Sequence, residues 1–126
     1  MKGHDRMVNE IRVYLPSEFT SFNDEIAEML NDFFGGSTQL EGVGLWNGKK
    51  GIERESVTIT YTYTSKINKN QIERITKFLA YIRKECEQEA ILLKVNQSVY
   101  FIESDSDINI INNDILKKLK GMIING

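Results

Sequence analysis

Phe34-Gly35-Gly36-Ser37-Thr38 opens the stretch that decides the fold. It runs through Gly42-Val43-Gly44-Leu45-Trp46, turns at Asn47-Gly48-Lys49-Lys50-Gly51, passes Glu53-Arg54-Glu55 and ends in Val57-Thr58-Ile59-Thr60-Tyr61-Thr62-Tyr63-Thr64. The last eight residues alternate strictly, which is the period of a β-strand with two unlike faces. Asn47-Gly48 is a short turn signal, so residues 39–46 and 52–64 read as the arms of a hairpin. Gly35-Gly36 stops whatever helix precedes it.

Upstream, Ile11, Val13 and Leu15 alternate with Glu10, Arg12 and Tyr14, and Pro16 closes that strand. Phe22, Ile26, Met29, Leu30 and Phe33 then recur at helical spacing, with Ser21 as the expected cap and Asp24 completing a weak capping box. Downstream, Asn68 and Gln71 form a capping box, and Ile67 and Ile72 a hydrophobic staple. Ile72, Ile75, Leu79, Ile82 and Cys86 make the apolar stripe of this second helix. Residues 90–95 and 98–103 read either as one bent strand or as two strands turning at Asn96-Gln97. A last helix is expected over about 112–123.

The order is βαββαβ with an extra strand and a C-terminal helix, an α+β ferredoxin-like plait in which two helices cover one face of an antiparallel sheet. Residues 1–9 read as a loose leader, 10–103 as the plait, and 104–126 as a polar loop and helix. Alternation is expected to place Arg12, Tyr14 and the threonines Thr58, Thr60 and Thr62 together on the uncovered face. That face is left to water, a ligand, a second copy or the C-terminal helix.

The chain has 126 residues, one domain by size, with 40% hydrophobic residues and a net charge of −2. The balance argues against a whole-surface nucleic-acid binder. No apolar run reaches a membrane span, and no signal-peptide core follows the N-terminus. A cytoplasmic, membrane-free protein is the expectation, and the lone cysteine, Cys86, fits a reducing compartment.

The single histidine, His4, lies in the leader, so no Ser-His or Cys-His pair can operate in the folded body. One Cys and one His cannot build a zinc site, and no phosphate-loop glycine pattern occurs. Neither a metal nor a cofactor is expected. Asp105-Ser106-Asp107-Ile108-Asn109 starts like a calcium loop, but Ile110 stands at the glycine position and Leu116 at the bidentate glutamate position.

The pattern F-G-G-x-T, G-x-G-x-W, then E before a strand resembles a group of small uncharacterised bacterial and phage proteins. Phe34, Gly35, Gly36, Thr38, Gly42, Gly44, Trp46 and Glu55 carry it. The resemblance implies a ferredoxin-like plait over residues 10–103 and brings no activity with it.

Two functions remain open. One is a non-enzymatic binding protein, a homodimer that holds a partner protein or a small anionic metabolite, such as a phage-encoded inhibitor or sequestering protein. Its ligand site would use Gly35, Gly36, Ser37, Thr38 and Trp46, with Arg12 and Tyr14. The other is a small hydrolase or isomerase. Glu55 or Glu53 would be its acid/base, and the Gly36 and Ser37 amides would hold an oxyanion.

Overall fold

A computed structural model describes residues 8–119 and the backbone of 122–123. The elements are β1 (Asn9–Pro16), α1 (Thr20–Phe34), β2 (Thr38–Gly48), β3 (Gly51–Thr64), β4 (Ile67–Asn68), α2 (Lys69–Glu85), β5 (Ile91–Val95), β6 (Ser98–Ile102), α3 (Ile108–Lys118) and β7 (Met122–Ile123). The main sheet has the order β2-β3-β1-β5-β6 and every pairing in it is antiparallel. Without β6 this is the ferredoxin-like plait. The leader expected over 1–9 lies outside the described residues except at its end, where Asn9 already belongs to β1 and is buried.

One layer of helices covers one sheet face. Ile11, Val13 and Leu15 of β1 and Ile91, Leu93 and Val95 of β5 meet Ile26 and Leu30 of α1 and Ile72, Ile75, Leu79 and Ile82 of α2. Ile111 and Ile115 bring α3 into the same core, and Thr76 donates to Asn112 Oδ1 at 2.7 Å. The C-terminal helix therefore joins the helix layer and leaves the other face uncovered. It spans 108–118, earlier than the sequence suggests, and follows directly on a 3-10 turn at Asp105–Asp107 whose capping box has Asp107 accepting from the Ser104 amide.

Side assignment on β3 is the reverse of the sequence expectation. Thr58, Thr60 and Thr62 face the helices, and Ile59, Tyr61 and Tyr63 share the open face with Arg12 and Tyr14. The register settles this, because directly opposed residues point the same way: Arg12 opposes Tyr61, Tyr14 opposes Ile59, and Val13 opposes Thr60. Alternation fixes the phase of a strand but not which phase is inside. The threonines tolerate burial because each hydroxyl is bonded. Gln39 Nε2 donates to Thr60 Oγ1 at 3.0 Å, Thr62 Oγ1 donates to the Gly36 carbonyl at 2.6 Å, and Thr58 Oγ1 donates to Glu41 Oε2 at 3.2 Å.

The hairpin is longer than expected. Its turn is Lys49-Lys50, with Gly48 paired to Gly51, and Gly51 takes the left-handed φ of 114° that the tight reversal needs. The last β1–β3 pair is Pro16 with Val57. Beyond it the hairpin projects as a two-stranded ribbon with Val43, Leu45 and Ile52 exposed. Within it Gly44 leaves room for its neighbour: a Cβ there would stand 3.2 Å from Val57 Cγ2.

α1 begins at Thr20, with Phe19 as its N-cap and no side-chain cap, so Ser21 and Asp24 fall inside the helix. Gly35 ends it at φ 91°. The Asn68–Gln71 capping box of α2 is present in both directions. Residues 91–102 form two strands, with Asn96 at φ 56° in the turn.

Candidate functional site

The open sheet face carries a group of exposed apolar side chains. Leu40 from β2, Tyr63 from β3, and Val99 and Phe101 from β6 are exposed there, with Phe101 at 55% and Tyr63 at 56%. Tyr14, Ile59, Tyr61 and Leu92 fill the middle at partial exposure. A face of an antiparallel sheet that meets only water would carry polar residues at these positions.

A charged knot lies within it. Glu10 Oε2 sits 3.1 Å from Arg12 Nη2 and Glu10 Oε1 sits 3.1 Å from Lys94 Nζ. The Arg12 hydrogen bond, helped by Lys94 and the Tyr63 hydroxyl, holds the Glu10 carboxyl down at about 2 against the cost of its burial. The same bond raises Arg12 above its ordinary value. The Arg12 guanidinium also stacks 4.5 Å from the Tyr61 ring centre, and its Nε is buried with no hydrogen-bond partner. Both cations are thus already engaged by Glu10.

The structure separates the site residues expected from sequence. Thr38 opposes Tyr61 at one end of β2, and Trp46 opposes Glu53 at the other, about 26 Å away at ~3.3 Å per residue. Glu55 opposes Gly44. Ser37 Oγ donates to Asn31 Oδ1 at 2.8 Å and the Gly36 carbonyl is taken by Thr62. A single pocket bounded by the Gly35–Thr38 turn, Trp46 and Glu55 does not form within one chain. The correction follows from the extended hairpin, which carries Trp46 and Glu53 outward on the ribbon. Arg12 and Tyr14 do stand together on the open face as expected, although their neighbours are tyrosines and not threonines.

Sequence reasoning missed a second feature. A cavity of about 330 Å³ opens where the end of β1 meets α1, β2 and β3, lined by Ser17, Asn23, Asp24, Gln39, Glu41 and Thr58 among others. Gln39 and Glu41 alternate onto the helix side of β2, which was the available signal once the threonine face is known to be covered.

Among the described residues no group of three His, Cys, Asp or Glu side chains could hold a metal ion, and no helix is long and apolar enough to cross a membrane. Asp105 pairs with Lys84 at 2.8 Å.

No protein-family model matches the chain, and no curated protein matches it. Solved structures do. A phage SAM lyase in complex with S-methyl-5'-thioadenosine superposes with a TM-score of 0.55 and 11% identity, over 83% of this chain and 96% of that one. The same enzyme class in its apo state gives 0.55 and 12%, over 83% and 94%. The divalent ion tolerance protein CutA1 from Ehrlichia chaffeensis gives 0.47 and 11%, over 87% and 96%. At such identities the likeness to the two lyase structures is one of fold.

Proposed function

We propose that this is a small non-enzymatic, cytoplasmic binding protein that works as an assembly of identical chains joined across the open sheet face. One observation carries the reading: four exposed apolar residues, Leu40, Tyr63, Val99 and Phe101, share that face with the Glu10–Arg12–Lys94 knot. Five strands spaced ~4.8 Å apart, with a central strand of 8 residues, give a face of roughly 24 by 26 Å, about 600 Å². With side-chain relief, that approaches the ~800 Å² each partner contributes to a standard interface. Tyrosine, phenylalanine and a paired arginine are also the residues that such interfaces favour.

A second copy fits better than a small anionic metabolite, because Glu10 already occupies both cations of the face. The acid/base reading of Glu55 has less support. The Gly36 and Ser37 amides lie beyond Thr38, more than about 20 Å from Glu55 along the strand, so they and the carboxylate do not meet on one ligand within a chain.

Light scattering after size exclusion tests the proposal. The expected mass is at least twice the 14.5 kDa of one chain, falling to one chain in Phe101→Lys and Tyr63→Lys. A wild-type protein that stays at 14.5 kDa at 100-micromolar-order concentration overturns it. The enzyme alternative is checked on the same sample with S-methyl-5'-thioadenosine, the compound held by the phage lyase of similar fold. Binding that disappears in Glu55→Gln would favour that alternative.

A further inference from the structure

The cavity beside the start of α1 has an unusual hydrogen-bond inventory. The Gln39 amide nitrogen donates to the Asn23 carbonyl at 3.1 Å and to Thr60 Oγ1 at 3.0 Å, so both of its hydrogens are used. The Asn23 amide nitrogen donates to the Pro16 carbonyl at 3.1 Å and to the Phe19 carbonyl at 3.2 Å. Two carbonyl partners fix which end of that amide is nitrogen. Asn23 is 4% exposed, and its Oδ1 meets no donor. Ser17 Oγ donates to Glu41 Oε2 at 2.7 Å, Thr58 Oγ1 donates to the same oxygen at 3.2 Å, and the two hydroxyls lie 2.8 Å apart.

Every side-chain donor around the cavity is therefore spoken for, and the vacant positions are acceptors: Glu41 Oε1, Gln39 Oε1 and Asn23 Oδ1. Asp24 adds a second carboxylate, and among the described residues no lysine, arginine or histidine lines the space. The first-turn amides of α1 have no side-chain cap, but an anion seated on them would face both carboxylates at short range. A buried acceptor with no partner is costly, on the order of 1–3 kcal/mol. A ligand rich in N–H donors and positively charged relieves that cost and balances the carboxylates at once.

We propose that this cavity binds a primary ammonium group, with Glu41 as its counter-ion and the Asn23 and Gln39 oxygens as its further acceptors. About 330 Å³ accommodates a short aliphatic amine and sits at the lower end of small-molecule sites. The ammonium belongs either to a free amine or to a lysine side chain of another protein. The site lies on the helix side of β2, so it is independent of the open face and of any assembly there.

Amide NMR of the whole chain tests it with two probes, putrescine and Nα-acetyl-lysine amide. Saturable shifts are expected at Ser17, Asn23, Gln39 and Thr58, weakened tenfold or more in Glu41→Gln and also in Asp24→Asn, with both variants shown folded by their spectra. Response to putrescine alone assigns a free amine, and a stronger response to the lysine derivative assigns a protein side chain. The proposal fails if neither probe saturates by about 10 mM, if inorganic phosphate shifts the same amides more strongly, or if both variants bind as well as the parent protein.

Discussion

Arg12 lies over the ring of Tyr61, its directly opposed partner across the β1–β3 ladder, with the guanidinium carbon 4.5 Å from the ring centre. The contact lets a half-buried cation rest on an open sheet face without full hydration, since the ring face supplies negative potential where water is thinned. It also aims the Arg12 nitrogens at Glu10, which sits on the same face of the same strand.

Replacing Arg12 by methionine keeps the apolar stem and removes the charge. Glu10 then depends on Lys94 and Tyr63. We expect a loss of about 1–2 kcal/mol and a melting temperature lower by several degrees. Arg12→Lys is expected to recover less than half of the loss, since an ammonium cannot stack and bridge together. Circular dichroism melts measure both.

Acid should weaken the protein through Glu10. Its folded carboxyl titrates at about 2 against an ordinary 4.5. The unfolded chain therefore takes up the proton first. The stability this group contributes is complete above 4.5 and drains as pH falls from 4.5 toward 2. Partial exposure limits it to on the order of 2 kcal/mol. Urea unfolding at pH 6 and at pH 3 should show this difference, and Glu10→Gln should remove that share of it.

Thr60 is wholly buried and takes a hydrogen bond from Gln39. Thr60→Val keeps the shape and removes the acceptor, at a cost of about 1–3 kcal/mol. Thr60→Ser keeps the acceptor and loses one methyl, at about 1 kcal/mol. If valine proves the milder change by chemical denaturation, the covered threonine face is misdescribed.

Cys86 closes α2 against the core, and burial pushes its thiol up. It should react with a disulfide reagent at least a hundredfold more slowly in native protein than in urea, in a simple absorbance assay.

The plait was legible because its punctuation is local. Pro16, Gly35, and the Asn68–Gln71 box each act through neighbouring backbone, and each does in the structure what its residue type dictates. The side of β3 was not legible. A strand of alternating Thr and Ile/Tyr has two plausible interiors, and aromatic residues suggested the wrong one. The choice lies in contacts distant in sequence: Gln39 on Thr60 and the Gly36 carbonyl on Thr62. The cavity was hidden for the same reason. Ser17, Glu41 and Thr58 are unremarkable apart and gain meaning only when three elements converge. The turn expected at Asn47-Gly48 moved outward because strand pairing continued through those residues to Gly51.

Among the described residues the ribbon beyond Val57 has no third strand beneath it, and Val43, Leu45 and Ile52 are exposed. Two strands alone hold their ladder only marginally. In a lone molecule its amides should exchange with deuterium long before those of β1. Any lasting protection from Val43 to Glu55 would then register that something has settled against the arm, which makes this ribbon a built-in reporter of company.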